Sequence, residues 1–287
     1  MTSTTRTDQL DRMLAGLGVR PRILDVDGVR TRLIEMGDGS PLVLLHGAIE
    51  CGGALWAPVL PQLAARHRVL VPDLPGLGGS DPVDRLDATR FHRWFVDLLR
   101  TTGTAEPTVV AHSLAGSLSA RAAIQWRRLV RHLVVYGGPA IGAYRMPSRL
   151  RYLAIRFAIR PTARNAERFD RFALLDLDAC RRRDPAWFHA FEACNLSQAR
   201  VPHVKRTMSQ LIRTGTGPIP DAELARIEVP VSLLWGRHDR MVPLSIGEAA
   251  SARHGWPLHI VDGAAHVPHI EDPISFVDTL HSLARAS

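Results

Sequence analysis

Short apolar runs alternate with longer amphipathic stretches from residue 22 to residue 137, and the same rhythm returns after residue 219. "RILDVDGVRTRLIEMG" reads as a β-hairpin about Asp27-Gly28. "PLVLL" (41–45) is continuously apolar after its proline, as a strand covered on both faces must be. Comparable runs predict strands at 67–73, 107–112, 132–138, 230–236 and 257–263. The amphipathic stretches between them predict helices over about 55–66, 89–102, 114–127, 244–254 and 273–285. Such alternation implies a mostly parallel sheet with helices on both faces.

Residues 139–218 break the rhythm. They contain no clear buried strand, and their apolar positions recur at helical intervals among arginines, as in "RLRYLAIRFAIR" and "WFHAFEACNLSQ". A helical insertion between two strands is the expectation. Its aromatic side chains, Tyr144, Phe157, Phe169, Trp187 and Phe191 among them, are expected chiefly to pack those helices, with a few lining a pocket for an apolar group.

The net charge of +8 suggests nucleic acid until it is located. The insertion alone holds 15 Lys+Arg against 6 Asp+Glu, so the remainder of the chain is nearly neutral. A solvated arginine-rich helix face is the first expectation for that surplus, with steering of an anionic substrate or contact with an acidic membrane surface as alternatives, and no nucleic-acid recognition motif accompanies it. No run reaches the roughly 18 apolar residues of a membrane span, and the polar first residues do not read as a signal peptide. Three scattered cysteines (Cys51, Cys180, Cys194) form neither a disulfide framework nor a zinc site, which favours a reducing cytoplasm. No metal-ligand cluster and no phosphate-binding glycine motif occurs, so the expectation is a small-molecule partner with no cofactor, metal or nucleic acid.

In an open parallel sheet, ligands bind beyond the carboxyl ends of the strands. At those ends stand "HGAIECGGALW" after 41–45, "DLPGLGGSDP" after 67–72, Ser113 after 107–112, Asp239 in "WGRHDRMVP", and His266 in "DGAAHVPHIEDP". An alcohol, a carboxylate and an imidazole are useful together. The hydroxyl is a poor nucleophile until a base takes its proton. Histidine is that base near neutral pH, and a carboxylate holds its tautomer and stabilises the imidazolium. Backbone N–H groups must then receive the developing oxyanion.

The set "VDGVRTRLIEMGDGSPLVLLHG", "VLVPDLPGLGGSD", "AHSLAG", "LLWGRHDRMVP" and "GAAHVPHIEDP" resembles the α/β-hydrolase superfamily in order and spacing, over residues 22–138 and 219–285. "AHSLAG" is similar to the nucleophile elbow G-x-S-x-G, with Ala111 and Ala115 in the glycine places and Gly116 following. The resemblance implies an α/β-hydrolase core over 1–138 and 219–287, a mostly parallel central sheet flanked by helices, and a helical cap over 139–218. It implies Ser113 as nucleophile, Asp239 as acid, His266 as base, and the N–H groups of Ala48 and Leu114 as oxyanion hole. "YGGPA" (136–140) offers no carboxylate for an alternative acid placement. His269 competes with His266 and is expected to pack instead. His46 is expected to brace the oxyanion loop, His112 to orient the elbow or line the pocket, Cys51 to be a small buried apolar residue, and Asp73 to brace the glycine-rich loop of Gly76, Gly78 and Gly79.

A serine at the elbow argues against the haloalkane dehalogenase and epoxide hydrolase branches, which use aspartate. The carbon–carbon hydrolases of aromatic-ring degradation commonly have Asn and Trp where this chain has His112 and Val267. Hydrolysis of a carboxylic ester, thioester or lactone of a small, largely apolar molecule through an acyl-enzyme is therefore the first expectation. The alternatives are a carbon–carbon hydrolase, a cofactor-free perhydrolase, and a small-ligand-binding protein on the same scaffold.

Overall fold

The hairpin strands β1 (Arg22–Val26) and β2 (Val29–Met36) turn on Asp27 and Gly28, whose φ angles of 49° and 72° suit a two-residue primed turn. Six more strands follow in the computed structural model, which describes residues 3–286. They are β3 (Ser40–Leu45), β4 (His67–Pro72), β5 (Thr108–His112), β6 (His132–Tyr136), β7 (Val231–Gly236) and β8 (Leu258–Val261). The eight strands form one sheet in the order β1-β2-β4-β3-β5-β6-β7-β8; β1 and β2 run antiparallel to their neighbours and the rest are parallel. Successive side chains alternate between faces. Val43, Leu45, Val109 and Val135 enter one core cluster, whereas Leu42, Leu44, Val110 and Val134 enter the other. The unbroken apolar runs are thus two interleaved cores.

Helices α1 (Ser3–Arg12) and α2 (Leu60–Ala64) belong to one face, α3 (Ala88–Thr101) and α4 (Leu114–Ala123) to the other. Between β6 and β7 lie α5 (Ser148–Ile159), α6 (Ala163–Ala173), α7 (Leu177–Arg183), α8 (Pro185–Gln198) and α9 (Pro202–Gly215). After the short α10 (Asp221–Leu224), α11 (Leu244–His254) joins the face of α3, while α12 (Pro268–Glu271) and α13 (Pro273–Ala286) join the face of α1.

Two local differences from the sequence expectations have physical causes. The helix expected over 55–66 begins as a 3₁₀ helix, Gly52–Val59, because Pro58 lies inside the segment and offers no N–H to an α-helical ladder. The helix expected over 114–127 stops at Ala123. There the Trp126 N–H bonds back three residues to Ala123, Arg127 turns left-handed (φ 35°), and Trp126 is drawn into the core. The polar N-terminal stretch is helical because Leu10 buries itself in the core and Asp11 pairs with the buried Arg32 at 2.9 Å.

The chain order reverses at one place, where β3 has β4 on one side and β5 on the other. Parallel sheets open a crevice at such a switch point. Leu45 is in register with Ala111 there, so the segments leaving β3 and β5, Gly47 and Ser113 included, emerge side by side.

Candidate active site

Ser113 links β5 to α4 at φ 55° and ψ −122°, a region that non-glycine residues seldom occupy. Such backbone strain costs about 1–3 kcal/mol and persists only where the surroundings enforce it. Here the Ser113 N–H donates to the Tyr136 carbonyl at 2.6 Å, continuing the β5–β6 pairing through the turn. Two glycines make room. A Cβ on Gly47 would lie 2.8 Å from the Ser113 Cβ, and one on Gly116 would lie 2.7 Å from the Ala111 carbonyl oxygen. Ala111 and Ala115 are fully buried and fit, so the glycine this elbow requires sits one residue later than in G-x-S-x-G.

The serine hydroxyl lies 3.0 Å from His266 Nε2, and His266 Nδ1 lies 2.7 Å from Asp239 Oδ2. Because the carboxylate can only accept, Nδ1 carries the proton and Nε2 is free to receive the serine's. The other oxygen, Asp239 Oδ1, accepts the N–H groups of Met241 (2.8 Å) and Val242 (2.9 Å), which locks the carboxylate plane. The His266 backbone is tethered as well: its N–H donates to Ala173 at 3.1 Å, and its carbonyl accepts His112 Nε2–H at 2.9 Å. Asp239 and His266 are both buried.

Glu271 was not legible as part of this assembly. Its Oε1 accepts the N–H groups of Ala265 (3.0 Å) and Val267 (2.9 Å), on either side of His266, and Oε2 accepts that of Leu175 at 2.6 Å. Burial raises its pKa, and those three bonds oppose the shift. No recognisable spacing announces such a brace, since its partners are backbone groups. Glu271→Ala leaves buried N–H groups without acceptors, each costing about 1–3 kcal/mol. We expect a lower thermal midpoint and a more than tenfold loss of kcat/KM, with Glu271→Gln recovering part of both. Wild-type turnover in the alanine variant would show that His266 is positioned without this brace.

The other residues singled out in the sequence have visible partners. His46 donates from Nδ1 to the Gly47 carbonyl (2.8 Å) and accepts the Leu74 N–H at Nε2 (2.9 Å), tying two loops together. Burial lowers its pKa against the pull of Asp73, keeping it neutral. Asp73 accepts from Gly53 (2.6 Å) and Gly79 (2.7 Å), and a Cβ on Gly52 or Gly78 would strike its carboxylate at 2.4 Å. His269 stacks on Trp56 at 4.1 Å and is pushed down to about 3, first by burial and then by His266. That makes it a poor base. The Cys51 thiol is fully buried and its pKa is raised well above the usual value, chiefly by burial.

A cavity of about 240 Å³ opens at Ser113 and His266, with Ala48 and Leu114 in its lining. Leu114 is the first residue of α4, where an N–H has no intrahelical acceptor. Most of the remaining wall is apolar and comes from the inserted helices, including Leu150, Phe157 and Phe169. Among the described residues, no group of three or more His, Cys, Asp or Glu is placed to hold a metal ion, and no helix is long and apolar enough to cross a membrane.

Two carboxyls interrupt the apolar wall, Glu50 and Asp170. Burial raises Glu50 to about 7 against one bond from its own N–H, and raises Asp170 to about 8 with help from the charges of Glu192 and Glu50. A carboxyl whose folded pKa exceeds its unfolded value is most favourable to the fold when protonated. The folded state therefore loses stability as pH rises from about 4.5 to about 7, where Glu50 ionises. The full cost of that shift is about 3 kcal/mol. Glu50→Gln should unfold like wild type at pH 4 and be more stable by about that amount at pH 8. Denaturant titrations at the two pH values check this, and a pH-independent difference would contradict it.

Comparison with known proteins adds independent information. The family profile described as "Alpha/beta hydrolase family" matches residues 42–279. The chain is 30% identical over 286 residues to 2-hydroxy-6-oxononadienedioate/2-hydroxy-6-oxononatrienedioate hydrolase of Klebsiella pneumoniae, covering 92% of this chain and 96% of that protein. It is 26% identical over 256 residues to pimeloyl-acyl-carrier-protein methyl ester esterase of Aeromonas hydrophila, covering 86% and 96%. The crystal structure of carboxylesterase CesB from Bacillus subtilis superposes with a TM-score of 0.82 at 21% identity, covering 99% of each chain, a likeness of fold.

Proposed function

The chain belongs to the alpha/beta hydrolase family, and on that premise we propose that it is a serine hydrolase of small, largely apolar carboxylic esters, thioesters or lactones. The observation that carries this reading is the continuous hydrogen-bond chain from Ser113 through His266 to Asp239, opening on an apolar cavity. Ser113 Oγ attacks the carbonyl carbon as His266 Nε2 takes its proton. Asp239 holds the imidazole with Nε2 facing the serine and stabilises the imidazolium. The N–H groups of Leu114 and Ala48 receive the oxyanion, a contribution worth about 10²–10³ in turnover per donor. His266 then protonates the leaving alkoxide or thiolate. Water, deprotonated by the same nitrogen, releases the acid from the Ser113 ester.

The helices over 139–218 act in this reading as a cap that supplies the apolar wall and thereby selects the acyl group. A fluorophosphonate probe tests the central assignment without knowledge of the substrate. One probe should attach per chain, on the peptide containing Ser113, and Ser113→Ala should remain unlabelled. Attachment elsewhere, or none to the folded protein, would overturn the nucleophile.

A second reading, hydrolysis of a carbon–carbon bond in a ring-cleavage product, draws support from the similarity to the Klebsiella pneumoniae hydrolase. His112 and Val267, in the cavity wall where that branch commonly has Asn and Trp, favour the ester reading. Parallel assays on a 2-hydroxy-6-oxodienoate and on a methyl ester separate the two.

A further inference from the structure

The cavity carries acceptors that the proposed ester chemistry does not use. Glu50 precedes Cys51 and Asn195 follows Cys194, and those two cysteines share a core cluster, with Cys194 among the charges acting on Cys51. Asp170 on α6 feels the charge of Glu50 and of Glu192 on α8. Glu50 in the loop after β3, Asp170 on α6 and Asn195 on α8 all line the cavity. Each is more than nine-tenths buried, with exposures of 8%, 9% and 6%.

Asn195 Oδ1 is buried with no hydrogen-bond partner. Among the described residues, no other side chain and no backbone N–H beyond Glu50's own is bonded to either carboxyl. The cation that acts on Asp170 is Arg181, and it is already engaged by Glu192, Glu167 and Asp178. A buried acceptor without a donor, as at Asn195 Oδ1, is rare because it forfeits its hydration. Two carboxyls that lower the stability of the empty protein at neutral pH point to a role with ligand bound.

We infer that Glu50, Asp170 and Asn195 form a subsite for a primary ammonium group carried on an otherwise apolar substrate, an inference that rests on Ser113 acting in the same cavity. The match is one of charge: an ammonium brings a positive charge and three N–H donors, and Glu50, Asp170 and the Asn195 amide oxygen offer two carboxyls and a carbonyl to receive them, with Lys205 also in the cavity wall. A hydroxyl could satisfy only one acceptor as donor, and a carboxylate would add a third anion. Entry of the cation would also ionise the carboxyls, because a nearby positive charge favours their charged forms.

The test measures binding apart from turnover. Methyl ω-aminoalkanoates of increasing chain length are titrated calorimetrically into the Ser113→Ala protein. Each is compared with the methyl alkanoate in which a methyl replaces the ammonium. At the best chain length the amino ester should bind at least about tenfold more tightly, and Glu50→Gln with Asp170→Asn should erase that preference. Repeating the titration near pH 7 in buffers of different ionisation heat should show proton release on binding of the amino ester only. That release belongs to Glu50 and Asp170; Glu192, Glu167 and Arg181 are further charges acting on Asp170, and Lys205 also lines the cavity. Should the double variant not fold, each single variant and the paired esters on the Ser113→Ala background still decide the matter. Equal or weaker binding of the amino ester at every length would overturn the subsite. An ammonium preference in binding, without hydrolysis by the Ser113 protein, would overturn the nucleophile and leave the subsite standing.

Discussion

Replacing Ser113 by alanine is expected to lower kcat for p-nitrophenyl butyrate by about 10⁴- to 10⁶-fold, with the fold preserved. The size of the effect follows from the connectivity of the site. Serine, imidazole and carboxylate act as one unit, so removing the attacking oxygen leaves His266 with nothing to deprotonate but water. What survives is binding and oxyanion stabilisation, which do not depend on the hydroxyl. The fold should tolerate the change because the Ser113 side chain bonds only to His266, while the turn is held by the Ser113 backbone N–H and by Gly47 and Gly116. Release of p-nitrophenolate and far-ultraviolet circular dichroism read the two halves of the prediction. Turnover within tenfold of wild type would remove Ser113 from the chemistry.

Asp239→Asn should cost about 10⁴-fold in kcat, though it changes one atom and no charge contact with bulk solvent. The surroundings decide which way the amide sits. Oδ1 receives two backbone N–H groups, from Met241 and Val242, so only the amide oxygen can occupy that position. The NH₂ is thereby forced to face His266 Nδ1. A donor there makes Nδ1 the acceptor, moves the ring proton to Nε2, and points an N–H at the serine oxygen that should be losing its own proton. Nitrogen-15 NMR of the imidazole should report that tautomer exchange alongside the kinetic loss. A variant that keeps its activity, or keeps Nδ1 protonated, would show that the acid is not setting the tautomer.

How far these groups could be foreseen depends on the kind of contact each makes. The strands were legible because a sheet buried on both faces needs apolar residues at every position, as at "PLVLL" and "HLVVY", and a continuous run stands out. The positions of Ser113, Asp239 and His266 were legible because chain order places them after β5, β7 and β8 of one sheet, on the edge where parallel sheets bind ligands. Glu271 was hidden, since a carboxylate bracing backbone N–H groups leaves no pattern of residue types. Glu50, Asp170 and Asn195 were hidden for a related reason. They come from a loop and two inserted helices whose packing no short-range periodicity encodes.

The early end of α4 and the 3₁₀ entry to α2 show the same division. Pro58 was visible as a missing donor, whereas the fate of Trp126 depended on a core formed with Phe91 and Phe95 from another helix. Local chemistry and period therefore determined the sheet, its flanking helices and the order of the reactive side chains along its edge. Only the tertiary structure decided the hydrogen-bond distances among them, the strained angle at Ser113, and which polar groups are stranded in the cavity. Those depend on the burial of residues far apart in the chain, and burial is a property of the packed whole.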